Sequence, residues 1–132
     1  MAEASVIAGL AFTLPKTTSS HACSFPLTNI YKIPHGEACG LTLDHFVRIN
    51  GREDDGRILK LANELGFDTV EGLADGILEL KKKMNLRINL KDFNLNDEEV
   101  DTLVKLSRHP NLYNNPVDIT DYQLREMYES MR

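Results

Sequence analysis

His21-Ala22-Cys23-Ser24-Phe25-Pro26-Leu27-Thr28-Asn29-Ile30-Tyr31-Lys32-Ile33-Pro34-His35-Gly36-Glu37-Ala38-Cys39 is the stretch on which the reading of this chain turns. Neutral imidazoles that meet in space are good ligands for first-row metals. His21 and His35 lie 14 positions apart, too far for neighbours on one helical face, so only tertiary structure can join them. Ser19 or Ser20 can cap a short helix starting near His21, which Pro26 is expected to stop or bend. Residues 28–33 then read as an irregular crossing. Pro34 offers a favoured first helical position. Beyond it, Ala38, Leu41, Thr42, His45, Phe46 and Ile49 form a 3-4 stripe that Asn50-Gly51 is expected to close.

Working outward, the periodicity stays helical. Val6, Ile7, Leu10, Ala11 and Leu14 put one face of an opening helix into a core, with Pro15 as its end. Residues 54–65 carry Ile58, Leu61, Ala62 and Leu65 on one side, and Gly66 stops them. Asp68 with Glu71, Asn96 with Glu99 and Thr120 with Gln123 have the spacing of capping boxes. They open helices bearing Val70, Leu73, Ala74, Ile77, Leu80 and Met84, then Val100, Leu103 and Val104, then Leu124, Met127, Tyr128 and Met131. His109-Pro110 ends the second of these. Residues 85–95 read as an extended surface connector. No alternating run is long enough to build a sheet, so the expected fold is an all-α bundle of about six or seven helices with short connections.

At 132 residues the chain suits one domain, residues 1–132, and is too short for two ordinary ones. Fifteen basic against 20 acidic residues give a net charge of −5, which argues against nucleic acid as a partner. The basic run Lys81-Lys82-Lys83 falls at a helix end, where cations complement the macrodipole. The two cysteines, Cys23 and Cys39, lack a CxxC spacing and read as buried free thiols, with a disulfide or a thiolate ligand as the alternative. Met1-Ala2-Glu3 lacks a basic leader region, and no apolar run approaches the ~20 residues of a membrane span. A soluble, cytoplasmic protein is expected.

The pattern His21-Ala22, Pro26-Leu27, then Ile33-Pro34-His35-Gly36 and Ala38, resembles the metal-binding segment of the iron-containing (group III) alcohol dehydrogenases. The likeness extends to Ala8-Gly9-Leu10-Ala11-Phe12 before the first histidine and to Asn114-Asn115-Pro116 near the end. It covers nearly the whole chain, but only the C-terminal helical domain of a full-length member of that dehydroquinate synthase-like fold. The resemblance implies that His21 and His35 bind a divalent metal, Fe(II) first and Zn(II) as the alternative. It also implies reversible oxidation of a small alcohol to an aldehyde or ketone with NAD or NADP, the metal polarising the substrate oxygen. In the family, an N-terminal nucleotide-binding domain supplies a glycine-rich phosphate cradle, and an Asp and a His one helical turn apart complete the metal site. Neither feature is readable in these residues. The chain by itself is therefore expected to have little or no activity, and its exposed apolar surface to favour a homo-oligomer. Two other readings stand beside this one: an inert helical binding or structural module, and a non-redox dehydroquinate synthase-like relative.

Around the two histidines, the side chains divide by chemistry. A helix head disfavours imidazolium, keeping His21 and His35 in the form a metal needs. Family members carry a second histidine where this chain has Phe25, so Phe25 either packs or walls the substrate with no proton relay. Glu37 reads as a partner for an imidazole N–H or as a solvated first-turn carboxylate. His45 lies on an apolar stripe and reads as a core histidine, and His109 as a helix C-cap. Asp44, Asp54 and Asp55 read as ordinary helix-face or capping carboxylates.

Overall fold

Pro26 does not end its helix. In the computed structural model, which describes residues 1–53 and 55–132, α2 runs unbroken from Ser19 to Tyr31 with Pro26 inside it. An interior proline costs roughly 3 kcal/mol through its missing N–H and a clash with the carbonyl four residues back. Here Ala22, Cys23 and Leu27 are all fully buried. A buried Leu side chain alone contributes about 1.5–3 kcal/mol, so tertiary packing outweighs the local preference. The helix stops at Lys32, whose φ of 59° is left-handed, and not across an irregular 28–33.

The helix α3, His35–Glu53, passes through Asn50-Gly51 where a stop was expected. Gly51 serves helix packing instead. A Cβ there would sit 2.3 Å from Val70 Cγ1, so only glycine lets α3 lie this close to α5, Val70–Lys83. A buried ion pair joins the same two helices: Lys81 Nζ donates to Asp44 Oδ1 at 2.5 Å and to Leu41 O at 3.0 Å. Asp44 is thus no ordinary surface carboxylate, and Lys81 complements its helix end from the interior. Arg48 extends the network to Asp44 and Asp75.

Between them, α4 spans Arg57–Glu64; the expected start at Asp54 lies outside the described residues. Gly66 ends α4 as expected, at φ 85°. Phe67 N–H donates to Ala62 O at 2.9 Å and Gly66 N–H to Asn63 O at 3.1 Å, a Schellman pair. The cap of α5 is Thr69, one residue later than the Asp68 pattern indicates: its side chain accepts from Gly72 N at 3.0 Å. Both later capping boxes form as read, on α6 (Asp97–Leu106) and α7 (Asp121–Met131).

Residues 85–95 are not a loose surface strap. Leu90 and Leu95 are buried, Leu90 N–H donates to Met131 O at 2.7 Å, and a 3-10 turn covers Lys91–Phe93. Apolar side chains of α2, α3, α6 and α7 share one core cluster with them, including Leu27, Leu41, Leu103 and Tyr128. The buried Leu112 comes from a second 3-10 turn, Pro110–Asn114. Seven α-helices and no strand among the described residues make the fold all-α. The helix α1, Ala2–Ala11, departs from expectation in two respects: it ends at Ala11 with Phe12 as its cap, short of Leu14 and Pro15, and none of its residues is buried. Ile7 and Leu10 are 60% and 73% exposed, so its apolar stripe lies uncovered by the described residues.

Candidate metal centre

The three-residue connection 32–34 returns the head of α3 onto α2. Ile33 anchors it in the core, and Pro34 O accepts Ala38 N–H at 2.9 Å, leaving His35 as the first helical residue. His21 sits in the first turn of α2. Two helix heads thereby meet, and His35 Nε2 lies 3.2 Å from His21 Nε2.

The hydrogen bonds around the pair decide where its lone pairs point. Ser24 Oγ donates its single proton to His21 O at 2.7 Å. Its contact with His35 Nδ1 at 3.3 Å is then satisfied by the neutral tautomer in which Nδ1–H donates to the hydroxyl oxygen. In that tautomer His35 Nε2 carries no proton and faces His21 Nε2. Metal-binding histidines are held in this manner, one ring nitrogen on a hydrogen-bond acceptor and the other free for the ion. Burial first, and His35 second, lower the pKa of His21, which favours its neutral, ligating form.

The donors fit a divalent ion. With metal–nitrogen bonds of about 2.0–2.1 Å, two nitrogens 3.2 Å apart can both reach one ion. Cys39, one turn along α3, adds a sulfur 3.7 Å from His21 Nδ1 and 3.9 Å from His35 Nε2. One atom from each of His21, His35 and Cys39 falls within 4.8 Å of the others. Cys39 is half-buried in this cluster and does not pack as an inert thiol. The signal for it was present in the sequence: once Pro34 fixes the helix start, His35 and Cys39 stand at i and i+4 on one face. Cys23 does behave as expected. It is buried against Tyr128 and Ser107, and burial pushes its thiol up to about 11.

Phe25 borders the pair, its ring centroid 6.2 Å from that of His21 and 6.0 Å from that of His35, which it stacks against. His109 backs it at 4.5 Å. His109 is not the C-cap of α6, which is Ser107; its Nδ1 instead accepts Asn111 N–H at the head of the Pro110–Asn114 turn. Glu37 takes neither role considered for it. Its Oε1 accepts Arg87 N–H at 2.9 Å, pinning the 85–95 segment to α3. His45 is half-buried on α3 and lines a separate cleft with Arg48 and Met127. Asp55 pairs with Arg57 at 2.7 Å, and Asp54 lies outside the described residues.

Residues 1–132 match the C-terminal part of the Fe-containing alcohol dehydrogenase family along their whole length. The chain belongs to that family. Sulfoacetaldehyde reductase of Bifidobacterium kashiwanohense, solved in complex with NAD+, shares 63% identity with this member at a TM-score of 0.94. The match covers 98% of this chain and 34% of that one. Alcohol dehydrogenase 4 of Schizosaccharomyces pombe is 27% identical over 98% of this chain and 32% of its own length. Phosphonoacetaldehyde reductase of Streptomyces viridochromogenes is 48% identical over 42 residues, covering 32% of this chain and 11% of that protein. The chain thus spans about a third of the length of these two relatives, Alcohol dehydrogenase 4 and the Bifidobacterium reductase, which it matches along nearly its whole extent. No helix of the described residues is long and apolar enough to cross a membrane.

Proposed function

We propose that these residues supply two metal ligands, His21 and His35, and one wall of the substrate cleft to an NAD(P)-linked dehydrogenase that interconverts small alcohols and aldehydes. The observation that carries this reading is the meeting of two imidazole Nε2 atoms, 3.2 Å apart, at the heads of two helices. Fe(II), or Zn(II) in its place, would be held there and supply Lewis acidity toward the substrate oxygen. Ser24 keeps the proton of His35 on Nδ1, so that Nε2 stays free for the ion. Phe25 closes one side with an apolar ring and offers no group for proton relay. The nucleotide cradle and the remaining ligands come, in this reading, from protein outside these 132 residues.

Two relatives with high identity carry names for the reduction of two-carbon aldehydes bearing a sulfonate or a phosphonate. A small aldehyde with an anionic tail is accordingly the proposed substrate class. The test is a chimera in which residues 1–132 replace the matching third of the Bifidobacterium enzyme. Nicotinamide-linked reduction of sulfoacetaldehyde is expected to survive the replacement and to disappear with His21→Ala/His35→Ala. A folded chimera that fails to turn over, or one indifferent to the histidine changes, would refute the reading.

A further inference from the structure

We propose that Cys39 is a third protein donor to the ion held by His21 and His35. The result is a two-histidine, one-thiolate half-site suited to a borderline ion such as Zn(II), with Co(II) as its spectroscopic surrogate. The inference rests on the two-histidine reading above and names a further ligand for that same site.

Three observations carry it. His35 and Cys39 share one face of α3 at i, i+4, so a single rigid helix presents both donors, and α2 presents His21 to them. In a tetrahedral site with bonds of about 2.0–2.1 Å to nitrogen and 2.3 Å to sulfur, nitrogen and sulfur lie about 3.6 Å apart. The sulfur here is 3.9 Å from His35 Nε2 and 3.7 Å from the other nitrogen of His21, Nδ1. One donor atom from each of the three residues lies within 4.8 Å of the others, so side-chain rotation of His21 and Cys39 brings the three donors to one ion. Finally, the cluster is open: His35 is exposed, while His21 and Cys39 are half-buried. An ion can therefore enter from the solvent side, where donors from outside these residues would also reach it. The other thiol, Cys23, is enclosed by the core and is no competitor.

As the sulfur–metal bond forms, the thiol proton passes to solvent, so the bound species is the thiolate. A thiolate beside two imidazoles favours Zn(II), Co(II) or Cu(I) over Mg(II), Ca(II) and Mn(II), which prefer oxygen ligands. Cys39 thereby shifts the ion choice of this chain away from the hard end of the divalent series.

The experiment is anaerobic titration of the reduced 132-residue chain with Co(II), followed by absorbance from the near-ultraviolet to the visible. The wild type is expected to develop an intense sulfur-to-cobalt charge-transfer band together with tetrahedral d–d bands. Cys39→Ser is expected to lose the charge-transfer band and to bind cobalt more weakly, with an unchanged far-ultraviolet dichroism spectrum. His21→Ala/His35→Ala should bind none. Weak d–d bands without charge transfer in the wild type would overturn the role of Cys39 and leave the histidine pair standing. Identical spectra for the wild type and Cys39→Ser would do the same. Absence of cobalt uptake by the wild type would overturn both.

Discussion

Ser24 has one hydroxyl proton, and the backbone of His21 takes it at 2.7 Å. This small fact orients His35, because the hydroxyl oxygen is then free to accept the Nδ1 proton at 3.3 Å. Ser24→Ala is expected to lower the Zn(II) affinity of the chain by about 10–100-fold, the usual consequence of losing a partner behind a metal-binding imidazole. Competition against a zinc-sensitive dye would measure it, and an unchanged affinity would mean that Ser24 does not orient the ring. At this scale the sequence was half legible. The motif around His21 and His35 announced the pair, and the structure brings the two rings together. Ser24 could not be read in the same way, and the i, i+4 spacing of Cys39 from His35 gave a shared helix face but not its approach to His21. Their roles depend on how the 32–34 connection lays α3 back on α2, and no local pattern encodes that path.

The helices themselves divide by where their determinants lie. Asn96 with Glu99 and Thr120 with Gln123 are local devices, and both formed as their spacing indicated. Pro26 and Gly51 are decided by a neighbouring helix, and local rules misjudged both; Lys81 falls in the last turn of α5 as read, but its buried partner lies on α3. In that run of three lysines at a helix end, one is interior and paired with Asp44. Asp44→Ala would strand a buried ammonium between α3 and α5, and the expected loss is about 3–5 kcal/mol. Replacing the pair together, Asp44→Leu with Lys81→Met, should recover most of that stability, because two apolar side chains leave no uncompensated charge. Urea unfolding of the two variants checks this. A loss below about 1 kcal/mol for Asp44→Ala, in the range of an exposed pair, would show that the ammonium reaches water.

Across the whole molecule, the core cluster draws on α2, α3, α6 and α7, while α1 contributes no buried residue. Val6, Ile7 and Leu10 of α1 and Leu61 of α4 remain exposed. Apolar surface of this kind is expected to drive self-association. Light scattering behind size exclusion should show mass rising with concentration, and Ile7→Ser/Leu10→Ser should reduce the rise; a concentration-independent monomer would contradict it. The proposed metal pair depends on α2 and α3 being locked together, since only then do His21 and His35 meet. The most direct test of that claim is the metal content of the chain by elemental analysis, after equilibration with Zn(II) and removal of free ion. Wild type should retain about one equivalent per chain, and His21→Ala/His35→Ala essentially none. Equal metal content in the two proteins, whether full or empty, would contradict a preformed site built from these two histidines.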